Sequence, residues 1–174
     1  SESLNLTHFT TEAWFKLDSL PSQMLDGSAR ETYYLIEKSS QYYVEITPSE
    51  YTFFVGTAAR VYVRPVRTGD EWIHWTCTFN GKEICTYING ELEGSTKFMG
   101  EKPALTENPV KIGTVWTKEG EEKGWFKGAV DEVKIWERAL TPEEIKKRYE
   151  ENTALSPEDL AGSWSFDEKD RKEH

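Results

Sequence analysis

The sequence predicts an all-β chain, a sandwich or barrel of antiparallel strands with one short helix near the C-terminal end. Three observations carry this. The apolar runs are short, are separated by turn residues, and none holds a 3.6-residue period. Asn-Gly occurs twice, at Asn80-Gly81 and Asn89-Gly90, between strand-like segments; it suits turns whose central residues need positive φ and whose twist matches that of strands. A helix start signal appears once, at Thr141-Pro142-Glu143-Glu144.

In order, Thr10–Leu17 reads as a strand with Trp14 and Phe15 at its centre. Thr32–Ile36 and Tyr42–Thr47 follow, then Tyr51–Val55 and Arg60–Val66, split by Gly56. Trp72–Phe79, Glu83–Ile88 and Glu91–Ser95 form a three-strand meander joined by the two Asn-Gly turns. Val110–Val115 is a strand with Gly113 inside it, Lys118–Gly124 a charged loop, and Trp125–Trp136 a long strand. The helix spans Pro142–Glu151: Thr141 caps it, Glu144 completes the capping box, and Pro142 takes the first helical position, where no N–H is needed. Ile145 and Tyr149 share one face, and Lys146, Lys147 and Glu150 lie opposite. Leu160–Phe166 reads as a last strand before a charged tail.

The 174 residues suffice for one domain with a sizeable core, and 13% aromatic content with 7 Trp excludes a disordered tail. The net charge of −10 argues against nucleic acid or an anionic membrane, which need clustered cations. No run reaches the roughly 18 apolar residues of a membrane span. The opening Ser1-Glu2-Ser3 reads as an excision boundary, so the missing signal segment says nothing of location. Cys77 and Cys85 lack the spacing and histidine partners of a zinc site. Across a three-residue Asn80-Gly81-Lys82 loop they would face each other; a disulfide and two free thiols are both open. A disulfide would imply an oxidising compartment.

Three segments together resemble the laminin-G-like, or concanavalin-A-like, jelly-roll family of the pentraxin-like lectin/glucanase superfamily. They are Phe9-Thr10-Thr11-Glu12-Ala13-Trp14-Phe15-Lys16; Trp72-Ile73-His74-Trp75 with Asn80-Gly81 and Tyr87-Ile88-Asn89-Gly90; and Phe126–Trp136 (FKGAVDEVKIW) with Arg138-Ala139-Leu140-Thr141. The resemblance runs from about residue 4 to 149 and implies a two-sheet antiparallel sandwich, one laminin-G-like jelly-roll domain over residues 1–174. The family usually opens with a strand like the one found here at the other end, Leu160-Ala161-Gly162-Ser163-Trp164-Ser165-Phe166-Asp167-Glu168. That segment either begins a following tandem copy or folds back into the first-strand position, as in a circular permutation; a partner chain supplying the strand is a third reading. Folding back is preferred, with Trp164 and Phe166 buried.

The resemblance also implies a non-catalytic extracellular or cell-surface recognition module for a glycan or an extracellular protein, monomeric or part of a larger multidomain chain. Carbohydrate binding is the first reading; an adhesion or structural spacer without a small ligand is the alternative. Exposed aromatics beside polar groups would form the sugar platform. Trp116, Trp125, Tyr42 and Tyr43 are candidates because they border loops or charged stretches, although core packing accounts for each one taken singly. The family often holds a structural calcium ion, which would make Asp131 a ligand and Asp167 a second. Two residues cannot complete a shell of 6–8 oxygens, and a plain surface acidic pair is the competing reading of Asp131-Glu132. His74 falls at a structural family position. The paired carboxylates of the family's hydrolases are missing: no E-x-D-x-x-E string occurs, and adjacent carboxylates on a regular strand face opposite ways. No G-x-S-x-G, phosphate loop or H-E-x-x-H occurs either. The chain is therefore not expected to be an enzyme.

Overall fold

A computed structural model describes every residue except 1–5, 23–30, 58, 67, 101–102, 104–105, 117–119 and 167–174. The described residues form thirteen strands: β1 (Phe9–Leu17), β2 (Tyr33–Lys38), β3 (Tyr42–Ile46), β4 (Tyr51–Val55), β5 (Ala59–Val63), β6 (Ile73–Phe79), β7 (Glu83–Ile88), β8 (Glu91–Lys97), β9 (Val110–Ile112), β10 (Val115–Trp116), β11 (Glu122–Lys123), β12 (Gly128–Trp136) and β13 (Leu160–Trp164). One helix, α1 (Pro142–Glu151), precedes a 3-10 turn at Pro157–Asp159. Two antiparallel sheets make a sandwich. One has the order β13-β12-β1-β6-β7-β8 and the other β5-β4-β3-β2-β9, with β10-β11 as a small ribbon.

Period-two alternation sorts the side chains. In β5, Ala59, Val61 and Val63 point inward while Arg60 and Tyr62 are exposed. The core is aromatic where the sheets meet. Phe9 and Phe15 of β1 meet Tyr42 and Tyr51 with ring centroids 4.5 and 5.9 Å apart. Tyr51 also sets its edge against Trp75, at 5.0 Å. Rings of this size supply most of the buried apolar area, and tilted or edge-on contact is their favoured geometry.

The two Asn-Gly turns differ. Asn89 and Gly90 both have positive φ, 51° and 80°, and join Ile88 to Glu91 as a two-residue hairpin. At the first turn only Gly81 is positive. Asn80 Oδ1 accepts from both Lys82 N and Glu83 N, and Phe79 pairs with Ile84. The loop is one residue longer than expected, which corrects the cysteine geometry. Cys77 lies opposite Thr86 and Cys85 opposite Thr78, so the two sulfurs take opposite faces of the sheet and both thiols are free. Cys77 is fully buried and accepts from Trp75 Nε1 at 2.8 Å.

Gly113 divides the expected 110–115 strand. With φ 78° it turns the chain from β9, on the five-stranded sheet, into the β10 ribbon. Part of the charged 118–124 loop becomes β11, which pairs with β10. The last long strand starts at Gly128, leaving Trp125, Phe126 and Lys127 outside it.

Helix α1 forms for the anticipated local reasons. Glu144 N donates to Thr141 Oγ1, and the Glu144 carboxylate accepts from Thr141 N. It lies on the outer face of the six-stranded sheet, burying Ile145 and Arg148. Strand β13 pairs antiparallel with β12, Val133 opposite Trp164 and Ile135 opposite Gly162. The C-terminal segment thus completes the edge of a sheet of its own chain. Trp164 is partly buried against the core, its ring lying back over Gly162. Phe166 lies beyond the strand and is 50% exposed, which overturns its expected burial.

Candidate functional site

Register defines two cross-strand rows on the outer face of the five-stranded sheet. One runs Lys111–Glu37–Tyr43–Phe54–Arg60 and the other Tyr34–Glu45–Thr52–Tyr62. Directly opposed residues share a face and touch. Tyr43 stacks on Phe54, centroids 4.2 Å apart and planes 15° apart, and Tyr34 lies 6.1 Å from Tyr43. The Arg60 guanidinium sits over both Phe54 and Tyr62, at 6.0 and 5.3 Å. Burial, with Glu45 beside it, pushes the Tyr34 phenol up to about 12, and burial likewise raises the Glu45 and Glu37 carboxyls.

This aromatic row opens into a groove of about 370 Å³ lined by Glu31, Thr32, Tyr34, Lys123, Gly124, Trp125 and Lys127. Gly124 makes the junction. A Cβ there would lie 2.4 Å from the Tyr34 ring, and φ is 66°, so only glycine lets Tyr34 N donate to Gly124 O at 3.0 Å. Trp125, the next residue, is 57% exposed at the groove's edge. Glu31 is a fixed acceptor: the Ser22 backbone N–H, foremost, and Lys127 hold its carboxyl at about 2. The groove therefore combines an open indole, a phenol, a hydroxyl, ammonium donors and a carboxylate acceptor.

Of the four aromatic candidates, the structure brings Trp125 and Tyr43 to this region. Tyr42 does not belong there. The alternation that turns Tyr43 outward places Tyr42 in the core at 0% exposure, against Phe9. Trp116 has its backbone in β10 opposite Glu122, and its side chain lies outside the described residues. Alternation in the Tyr33-Tyr34 pair puts one ring outward, and that ring is Tyr34; sequence reasoning missed Phe54, Arg60 and Tyr62. Strict alternation along β4 and β5 was the available signal.

Asp131 lies on the other face of the molecule. It pairs with Trp14, which pairs with His74. A bulge follows: Glu12 opposes Lys134 but Trp14 opposes Asp131, and Glu132 takes φ 49°. The bulge breaks the alternation, so Asp131 and Glu132 line one groove with Trp14 and Trp72, a correction to the opposite facing of a regular strand. Asp131 Oδ1 accepts from Glu132 N at 2.7 Å and Phe166 N at 3.2 Å, and Glu132 pairs with Lys134. Asp167 lies outside the described residues. Among those described, no group of three or more His, Cys, Asp and Glu side chains is placed to hold a metal.

Beside that groove, under α1, is a buried charged cluster. Glu12 and His74 are each 1% exposed and Arg148 is 3%. Arg148 donates to both Glu12 oxygens, at 2.8 and 2.6 Å; His74 Nε2 approaches to 3.3 Å and Trp136 Nε1 donates at 3.2 Å. Burial is the largest single influence on Glu12 and raises its pKa, but His74 and Arg148 together outweigh it and hold the carboxyl at about 2. Tyr149 stacks on Trp14 and His74 from above. The cluster anchors the helix to the sheet.

The layered antiparallel sandwich with a surface helix defines a jelly-roll domain of the lectin type. Residues 1–146 match Laminin_G_3, the Concanavalin A-like lectin/glucanases superfamily, and the chain belongs to that family. The human adhesion G-protein coupled receptor D1 is 36% identical over 78 residues, 44% of this chain and 9% of the receptor. Its Bos taurus counterpart is 37% identical over 78 residues, 44% of this chain and 8% of that protein. Among solved structures, a putative carbohydrate binding protein from Bacteroides ovatus superposes with a TM-score of 0.76 at 18% identity, over 97% of this chain and 48% of that one. A heptameric SAP-like pentraxin from Limulus polyphemus gives 0.65 at 16%, over 83% and 70%. Domain 4 of an extracellular arabinanase from Geobacillus stearothermophilus, in complex with arabinotriose, gives 0.60 at 20%, over 83% and 68%. At these identities the structures establish a common fold. The chain spans less than a tenth of either receptor and about half of the Bacteroides protein.

Proposed function

We propose that this chain is a non-catalytic recognition module of an extracellular or surface protein, and that it binds a glycan across the outer face of the five-stranded sheet. The observation that carries this is the exposed Trp125 indole at a groove holding both donors and acceptors, continuous through Tyr34 with the Tyr43 and Phe54 rings. Sugars present apolar C–H faces for stacking and hydroxyls that both give and take hydrogen bonds. Carbohydrate-binding proteins among the structural neighbours support the reading. Affinity electrophoresis through plant, algal and animal polysaccharides tests it. Retention on at least one gel, lost in Trp125→Ala and weakened roughly tenfold in Tyr43→Ala, is the expected result.

The second reading, an adhesion or spacer module, draws on the similarity to an adhesion receptor. Migration unretarded by every polysaccharide favours it. The proposal does not require calcium; melting midpoints that rise with calcium and fall with chelator would add a structural ion to it.

A further inference from the structure

The groove on the six-stranded sheet has a different chemistry. We propose that it binds an alkylated organic ammonium, a trimethylammonium group or one of like size, by cation–π contact with Trp14 and Trp72 and by charge with Asp131. This inference is independent of the glycan reading, which concerns the other sheet.

The groove measures about 330 Å³ and is lined by Trp14, Trp72, Asp131 and Glu132. Its construction is fixed from behind. Trp14 is held by stacking on Tyr149 at 5.8 Å and by His74 at 4.8 Å, and the bulge at Glu132 turns two consecutive carboxylates to one side. Trp72 stands at the rim, 41% exposed. The walls offer π faces and carboxylate oxygens. Glu132 is already paired with Lys134, which leaves Asp131 as the carboxylate open to a ligand, and the side-chain donors of the four lining residues themselves are the two indole N–H groups; a polyhydroxyl ligand would leave most of its acceptors unmatched there, whereas a cation without N–H groups needs none. Among the described residues Asp131 Oδ2 has no hydrogen-bond partner; Oδ1 is the atom engaged by the two amides. The Trp72 ring already attracts a cation, since Lys16 Nζ lies 5.8 Å from its centroid. The chain's net charge of −10 raises the local concentration of cations. A hard metal ion is poorly matched, because indoles supply none of the oxygens it needs.

The test is a tryptophan-fluorescence titration of the intact chain with tetramethylammonium chloride at constant ionic strength. Controls are tert-butanol, a neutral molecule of similar shape, and calcium chloride. Saturable quenching by tetramethylammonium alone is expected. Trp72→Ala and Asp131→Asn should each weaken it roughly tenfold; the asparagine keeps the Oδ1 acceptor for Phe166 N, so it guards against loss of fold. Lys16→Met, which removes a competing cation from the indole, should tighten binding, and Trp125→Ala should leave it unchanged. Equal responses to tetramethylammonium and tert-butanol would overturn the proposal. So would a response shared with calcium, or affinities indifferent to Trp72 and Asp131.

Discussion

Glu12 shows how one residue's surroundings set its chemistry. With Arg148 and His74 against it, its carboxyl is lowered from 4.5 to about 2. A depressed acid stabilises the fold fully above its unfolded pKa and loses that contribution as pH falls through the folded value. About 3 kcal/mol should therefore disappear between about pH 5 and pH 2. Denaturant titrations across that window should fall steeply for the native chain and less steeply for Glu12→Gln; parallel slopes would show that Glu12 is not the titrating group. The cluster was hidden because Glu12 and Arg148 lie 136 positions apart, and Glu12 falls where a strand alternating its faces reads as solvent-facing. Arg148, three residues after Ile145, does lie on the helix's buried face by spacing alone. The cysteines give a second prediction. Both remain thiols, and burial raises the Cys77 pKa, so Cys77 should resist alkylation in the folded protein and react once unfolded. A mass two units lower, or a native chain without free thiol, would contradict the register described.

Elements with strong local signals were legible. The capping box, the second Asn-Gly hairpin and alternation in β3 to β5 all follow from short-range chemistry. What was not legible turned on single residues that alter a count. Asn80 captures two amides and lengthens its loop, Gly113 divides a strand between two sheets, and a bulge at Glu132 puts both carboxylates on one side. Strand β13 was legible as a strand, but its place required knowing which edge stood open. Its pairing makes a prediction: deleting residues 156–174 removes Trp164 and uncovers β12 and the part of the core near Val133. The truncated chain should melt lower and associate, because an open edge invites pairing with another chain. An unchanged midpoint and elution volume would show that the segment adds nothing to this fold.

Across the whole molecule, the two outer faces present different chemistry. The five-stranded sheet shows a row of aromatics leading into a mixed-polarity groove, and the six-stranded sheet carries the helix, its buried ion cluster and an acceptor-lined indole groove. The family resemblance anticipated the sandwich, while the candidate site needed the register, which decides that Tyr43 faces outward and Tyr42 inward. The most direct test of the central claim is an amide chemical-shift map on adding an oligosaccharide from whichever polysaccharide retains the chain. The account predicts perturbations gathered on Tyr34, Tyr43, Phe54, Gly124 and Trp125. Perturbations gathered around Trp14 and Trp72, or none at saturating sugar, would contradict it.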